Sequence, residues 1–328
     1  MAVLGAGSWG TALAIQCARA GRRTTLWGRD AAAIETIGRE RRNRRYLPDA
    51  PLPDGVSVTA DLRAAIRDAD AALIVVPSHA FRATLESLAE IGAPRSVVWA
   101  TKGFEQESGL LPHRVAAEVL GGETRTAVVS GPTFAHEVAA DLPTALTVAS
   151  EDEAHALEVA RAISSERLRA YTSTDIIGVE VGGATKNVYA IGAGLCDGLG
   201  FGANTRTALV TRALAEMTRL GVALGARRET FMGLAGIGDL VLTCTDDHSR
   251  NRRFGLALAR GTSVDAALAE IGQVVEGYYA ARSARRVAER VGVEMPIVEQ
   301  VYAVLYEGVD PRDAAVTLLR RPMRAEDG

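Results

Sequence analysis

Apolar and polar positions alternate along the first half of the chain with two different periods. MAVLG reads as a buried strand, and SWGTALAIQCARAG carries the i, i+3, i+4 spacing of a helix. TTLWG repeats the strand pattern and DAAAIETIGRE the helical one. AALIVV is a continuous apolar run, followed by a helical pattern over residues 78–90. SVVWA and TAVVS are further strands, and TALTVAS is a candidate for another. Asp30, Asp61 and Ser78 stand where side chains cap helix N-termini. Near-continuous apolar strands alternating with helices predict a mostly parallel sheet covered on both faces.

Near residue 173 the strand period stops. From Asp175 onward nearly every segment reads helical, with helices predicted over 208–224, 274–290, 296–306 and 311–320. Residues 176–202 are apolar and glycine-rich, but Glu180, Lys186 and Asp197 interrupt them. This predicts a closely packed core helix and not a membrane span. The expected division is therefore 1–173, an α/β domain, and 174–328, an all-α domain. No repeat or low-complexity linker is visible, and the terminal RRPMRAEDG is expected to be disordered.

Composition narrows the classes. At 328 residues the chain is long for one core and fits two domains. A net charge of −3 gives no reason to expect a nucleic-acid or membrane surface. The densest basic run, RERRNRRY at 39–46, reads as a solvated face, with a patch for an anionic ligand as the alternative. Cys17, Cys196 and Cys244 form no CxxC pair, which argues against a zinc site or disulfide framework and fits a reducing compartment. The chain enters an apolar strand at once, so no signal peptide is expected and a cytoplasmic enzyme or binding protein is the starting class. Met1 stands only four residues before Gly5, so the first strand is expected to be short, with a few residues missing before it.

Gly5-Ala6-Gly7-Ser8-Trp9-Gly10 follows a strand and opens a helix, the context in which GxGxxG binds a dinucleotide. Gly5 would allow the tight turn, Gly7 the approach to a pyrophosphate, and Gly10 close helix–strand contact, with the helix N-terminus attracting the anion. The second strand runs into Gly28, Arg29 and Asp30. A cation there suits a 2′-phosphate, so NADP, or use of both NADP and NAD, is favoured. The competing reading is that Arg29 is a solvated loop residue and Asp30 merely a cap.

Of 37 basic residues only Lys102 and Lys186 are lysines. Arginine stays protonated at any biological pH, whereas lysine loses its proton when desolvated or set beside another cation. The two lysines are therefore candidates for proton transfer, or for a compact ammonium that guanidinium cannot replace, the alternative being chance in an arginine-rich chain. Lys186 lies in the glycine-rich helix, and Lys102 in WATKG just past a strand's carboxyl end, where open α/β sheets bind ligands. Alcohol oxidation by hydride transfer needs a base for the hydroxyl proton, and the reverse reaction needs an acid. A lysine with a lowered pKa suits both, and Lys102 nearby would lower that of Lys186 further.

The histidines are weaker candidates. His79, His136 and His248 flank strand ends or polar loops, while His113 and His155 are expected on exposed helices and inert. Asp239, in GIGDLVLTCT, and Ser249-Arg250-Asn251 form a polar cluster. A hydroxyl, an arginine and an asparagine at a helix start make a phosphate clamp. An N-capped surface helix is the plainer reading.

The stretches GAGSWGTALA, LWGRD, NRRYLPDAPLP, VVPSHAF, WATKGFE, SGPTFAHEVA, GGATKNVYAIGAG, GFGANTRTAL, GLAGIGDLVLTCTD, SRNRRFG and GQVVEGY run in order from Gly5 to Tyr278. In them the chain closely resembles the bacterial NAD(P)-dependent glycerol-3-phosphate dehydrogenases. The resemblance implies a Rossmann-type domain followed by the helical one, and interconversion of sn-glycerol 3-phosphate and dihydroxyacetone phosphate. It also implies supply of glycerol 3-phosphate for glycerophospholipid synthesis, and a homodimer. By position it makes Lys186 the proton acceptor and Lys102 a contact to substrate and cofactor. Gly131, Thr133, Asp239, Ser249, Arg250 and Asn251 become substrate residues, and Asn187, beside the base, a ligand for phosphate or hydroxyl. Ser8, Trp9, Arg29, Tyr46, Ala135, Arg250, Val274 and Glu276 join the glycine loop around the cofactor. Two rivals remain: another hydroxyacid dehydrogenase of the 3-hydroxyacid or 6-phosphogluconate type, and a non-catalytic NADP(H) sensor.

Overall fold

The computed structural model describes residues 1–122 and 124–320; most of the terminal segment expected to be disordered lies outside the described residues. Ten strands are β1 (Ala2–Leu4), β2 (Thr24–Trp27), β3 (Arg42–Asn43), β4 (Leu47–Pro51), β5 (Val56–Thr59), β6 (Ala71–Ile74), β7 (Ser96–Trp99), β8 (Arg125–Ser130), β9 (Thr144–Ala149) and β10 (Leu168–Ser173). The helices of the first half are α1 (Ser8–Arg19), α2 (Ala31–Glu40), α3 (Leu62–Ile66), α4 (Phe81–Ile91), α5 (Pro112–Leu120), α6 (Ala135–Ala139) and α7 (Glu153–Ile163). Those that follow are α8 (Ile176–Gly198), α9 (Ala203–Ala223), α10 (Asp239–Thr245), α11 (Arg250–Ala259), α12 (Val264–Ile271), α13 (Glu276–Val291), α14 (Pro296–Tyr302) and α15 (Pro311–Leu319).

Eight strands form one sheet in the order β10-β9-β8-β7-β6-β1-β2-β5. From β5 to β8 all neighbours are parallel; β9 pairs antiparallel with β8, and β10 parallel with β9. The parallel strands therefore bring their carboxyl ends to one edge, where Gly5, Lys102 and Gly131 lie. One face packs against α1, α2, α6 and α7 through residues such as Leu13, Ile34, Val138 and Val159. The other packs against α3, α4 and α5 through Ile66, Leu85 and Val115. TALTVAS forms β9, and the chain adds strands that the periodicity did not single out, β5, β10 and the small β3–β4 hairpin.

The basic run at 39–46 is not simply the solvated face expected. Arg41 has φ of 52°, and its guanidinium donates to the carbonyls of Val56 at 2.8 Å and Pro53 at 2.6 Å. Asn43 is buried and donates to Ala6 O at 3.0 Å and Thr11 Oγ1 at 2.8 Å, pinning the hairpin to the glycine loop. Short-range charge density conceals such contacts because their partners are distant in sequence.

After β10 the chain turns into α8, the axis of a second core. Twenty of its residues, from Ile176 to Cys196, are buried, so it is packed on all sides, and its apolar surface is interrupted by Glu180, Lys186 and Asn187. Its glycines allow the closest crossing: a Cβ on Gly194 would stand 2.0 Å from Arg252 O, and one on Gly255 of α11 2.1 Å from Ile191 O. Among the described residues no helix is long and apolar enough to cross a membrane.

Asp30 and Asp61 cap α2 and α3, accepting from Ala33 N at 3.1 Å and Ala64 N at 3.2 Å. Ser78, expected from sequence to be a cap, does not cap α4. It begins a short turn before the helix and donates instead to Glu276 Oε2 at 3.3 Å. The exposed placement of His113 and His155 is also corrected. His155 is 1% exposed, on the inner face of α7 one turn before Val159, with its ring 3.3 Å from Ser96 Oγ. His113 sits at the start of α5, where its ring and backbone N–H both meet Glu180, at 2.5 and 2.9 Å. Glu180 also accepts from Trp99 Nε1 at 3.0 Å, so one buried carboxyl ties α8 to β7 and α5.

Candidate active site

The glycine loop turns from β1 into α1. Gly5 has φ of +126°, and a Cβ there would meet Val75 O at 2.3 Å; a Cβ on Gly10 would meet Gly5 O at 1.8 Å. Gly7 differs: nothing lies within 4 Å of the position its Cβ would take. It is the N-cap residue of α1, whose first turn has no side-chain cap. Open space before an uncapped helix start fits a pyrophosphate, because backbone N–H groups and the helix dipole both face it. Ser8 and Trp9 lie half-buried in that first turn.

The other residues expected at a cofactor are distributed over both halves of the chain. Arg29 is exposed just past β2, while Asp30 is engaged as the α2 cap. Tyr46 lies between β3 and β4, with the Arg45 guanidinium 5.1 Å from its ring centre. Ala135 is the first residue of α6. From the helical side, Arg250 is half-buried and donates to Gln273 Oε1 at 3.1 Å, and Glu276, Arg253 and Tyr46 are near enough for their charges to act on it. Burial pushes the Glu276 carboxyl up to about 7, against the opposing pull of Arg250 and Ser78. Val274 is 36% exposed. Among the described residues no hydrogen bond or ion pair ties Arg29 or Val274 to the rest of this group.

The two lysines meet although 84 positions of chain separate them. Lys102, beyond β7, donates to Asp239 Oδ2 at 2.6 Å and approaches Gly131 O at 3.4 Å. Lys186, in α8, donates to the other oxygen, Asp239 Oδ1, and to Thr243 Oγ1 at 3.0 Å. Asp239 is 1% exposed, and the Lys186 side chain only 11%. Burial lowers the Lys186 pKa, the Asp239 carboxylate raises it, and Lys102 lowers it; the balance is about 8. The expectation of a depressed lysine beside a second cation matches this geometry. The amine is therefore mostly protonated near pH 7, because Asp239 returns part of what burial removes. Burial acts to raise the Asp239 pKa, but the two ammonium groups outweigh it and hold the carboxyl below its ordinary value.

The remaining polar residues border this pair. Gly131 has φ of +148°, and its carbonyl accepts from Thr133 Oγ1 at 3.2 Å. Ser249 caps α11, accepting from Arg252 N at 3.2 Å, so the capping reading holds for that hydroxyl. Asn251 donates to Asn187 Oδ1 at 2.9 Å and accepts from Gly277 N at 2.8 Å. The Nδ2 group of Asn187 takes no partner among the described residues. His79 lies apart, exposed, with its ring 6.4 Å from that of Tyr279. No group of three or more His, Cys, Asp or Glu able to hold a metal ion occurs among the described residues.

Sequence reasoning missed three residues here. Thr243 stands one turn beyond Asp239 on α10 and accepts from Lys186; the i, i+4 spacing was the available signal. Asn43 anchors the glycine loop, and Ser78 links the two halves through Glu276. Asn43 has no local signature, and the local signature of Ser78 is that of a cap.

Comparison with known proteins shows the family of the chain. The family model for the NAD-dependent glycerol-3-phosphate dehydrogenase N-terminus matches residues 1–156, and that for the C-terminus 175–316. A glycerol-3-phosphate dehydrogenase (NAD(P)+) of Thioalkalivibrio sulfidiphilus is 58% identical over 99% of this chain and 98% of its own. One of Aeromonas hydrophila is 55% identical over the same shares. The crystal structure of glycerol-3-phosphate dehydrogenase from Coxiella burnetii superposes with a TM-score of 0.94 at 44% identity, covering 98% of both chains. The chain belongs to the NAD-dependent glycerol-3-phosphate dehydrogenase family.

Proposed function

We propose that this family member interconverts sn-glycerol 3-phosphate and dihydroxyacetone phosphate at the crevice where Asp239 gathers Lys102 and Lys186. Membership makes it an NAD(P)-dependent oxidoreductase of that reaction. The observation that carries the siting is the shared carboxylate: a buried lysine with a pKa near 8 stands at the carboxyl edge of a dinucleotide-binding sheet.

Bound nicotinamide supplies the hydride exchange. Gly5, Gly7, Ser8, Trp9 and Gly10 hold the pyrophosphate side, Ala135 and Tyr46 line the pocket, and Val274, Glu276 and Arg250 close over it. Lys186 takes the hydroxyl proton in oxidation and returns it to the carbonyl oxygen in reduction. A pKa near 8 serves both, since neither protonation state is far from accessible near neutrality. Asp239 fixes both ammonium groups. Lys102 adds positive charge where an alkoxide develops, and that charge counts for more in a site shielded from water. Thr243 fixes the direction of the Lys186 amine. Gly131, Thr133, Asn187, Ser249, Arg250 and Asn251 receive the phosphorylated triose, with Arg250 supplying a guanidinium for its phosphate.

NADP is the favoured cofactor because Arg29 stands where the 2′-phosphate would lie and Asp30 is occupied as a cap. The division of labour runs at 173/174, between the sheet domain and the helical domain. We place the enzyme in the cytoplasm as a homodimer supplying glycerol 3-phosphate for glycerophospholipid synthesis, on the family resemblance. One assay tests the core of this reading: purified protein with dihydroxyacetone phosphate, following oxidation of NADPH and NADH. Turnover faster with NADPH is expected. Cofactor binding without turnover, or preference for a carboxylated keto acid, would overturn it.

A further inference from the structure

One cluster outside the proton-transfer machinery joins the two halves beside the substrate. Phe134 and His136 flank the start of α6, immediately after Gly131 and Thr133. Asp246, Asp247 and His248 form the turn from α10 into α11, immediately before Ser249, Arg250 and Asn251. The His136 and His248 rings lie 4.4 Å apart between centroids, tilted by 31°. Phe134 extends the stack, 5.7 Å from His136 and 5.9 Å from His248.

His248 is also fixed within its own loop. Its backbone N–H donates to Asp246 Oδ1 at 2.7 Å, and its Nδ1 lies 2.8 Å from the same oxygen. Asp247 is held in turn by the Arg252 guanidinium. On the opposite side Glu137 Oε1 is 4.0 Å from His136 Nε2. The ring stack thus links a loop of the sheet domain, already braced by α6, to a loop of the helical domain, already braced by Asp246. The His136 side chain is 47% exposed and that of His248 64%, so neither is buried for the sake of core packing.

We propose that His136 and His248 are positioning residues, a clasp that holds the two substrate loops in register before the phosphorylated triose binds. The inference rests on the substrate reading of residues 131–133 and 249–251. A loop already held in its binding conformation loses less freedom on binding, so the clasp acts on substrate affinity and not on the proton or hydride. It works through ring contact, with Asp246 aiming one imidazole at the other. Phe134 broadens the contact without supplying a proton.

The test uses His136→Ala, His248→Ala, the double variant, and His248→Phe, in steady-state reduction of dihydroxyacetone phosphate at saturating reduced cofactor. Each alanine variant is expected to raise KM roughly 3- to 10-fold, the range of one aromatic contact, with kcat and melting temperature near wild type. The double variant is expected to match the worse single one, because both break the same contact. His248→Phe is expected to restore KM. Unchanged KM in both single variants, losses that multiply in the double, a matching fall in melting temperature, or failure of the phenylalanine rescue would overturn the clasp. Failure of the underlying functional reading would show separately, as a wild-type enzyme that does not turn this substrate over.

Discussion

Lys102 and Lys186, the chain's only two lysines, end on the two oxygens of one buried carboxylate, Asp239. One comes from the edge of the sheet and the other from the axis of the helical core. On the proposed function, their meeting would make a proton-exchanging site from two halves that each lack one.

Replacing Lys186 with arginine tests the proton step. Lys186→Arg keeps the charge and the ion pair but cannot release a proton near neutrality. Turnover is expected to fall by about 100-fold or more, the scale of general acid–base catalysis, while the folded state persists by circular dichroism. Wild-type turnover would remove Lys186 from the mechanism.

The pH dependence has a definite sign. With Lys186 as the base, oxidation of glycerol 3-phosphate needs the free amine, so its rate is expected to rise with pH and level off above about 8. Reduction of dihydroxyacetone phosphate needs the ammonium, so its rate falls as pH passes the same value. Asp239 raises the Lys186 pKa, hence Asp239→Asn is expected to move both limbs to lower pH, besides lowering activity. Limbs that stay in place in pH–rate profiles of that variant would show that the carboxylate does not govern the amine.

Cofactor choice is predicted to rest on Arg29. Arg29→Ala is expected to weaken NADPH binding by about 10-fold, the scale of one charged hydrogen bond. NADH binding, lacking the 2′-phosphate, is expected to change by less than about 2-fold, since the pyrophosphate contacts are untouched. Fluorescence titration with the two reduced cofactors checks this, and equal losses would return Arg29 to the surface.

The helix crossing that sets the position of α8 has no room for a methyl group. Gly194→Ala would place a carbon 2.0 Å from the Arg252 carbonyl oxygen. Backbone must shift, so a loss of about 3 kcal/mol is expected, with weakened substrate binding because α11 carries Ser249 and Arg250 at its start. Urea denaturation measures the first effect and KM the second. Stability equal to wild type would mean the two helices separate freely.

The sheet, its helical cover and the helical second half were legible in the chain because each depends on spacing within about 20 residues. Strand period, helix period and the glycine signature all act at that range. The lysines were legible as a chemical choice, since arginine serves every other cationic position. Burial of His113 and His155 was not legible, because the charged residues around them describe the outer faces of α5 and α7 and conceal the inner ones. Ser78 read as a cap because its local context is that of one; its partner, Glu276, is 198 positions away.

The sequence by itself determined the kinds of groups available: a glycine turn for a dinucleotide, two amines in place of guanidinium, and an acid in a glycine-rich stretch. Only the tertiary structure decided that Asp239 would stand between those amines, that burial and carboxylate would balance the Lys186 pKa near 8, and that His136 would face His248. Local pattern selects elements through backbone geometry and desolvation. A pKa and a ring contact depend on distances of a few ångströms between segments that the chain brings together only when both cores are packed.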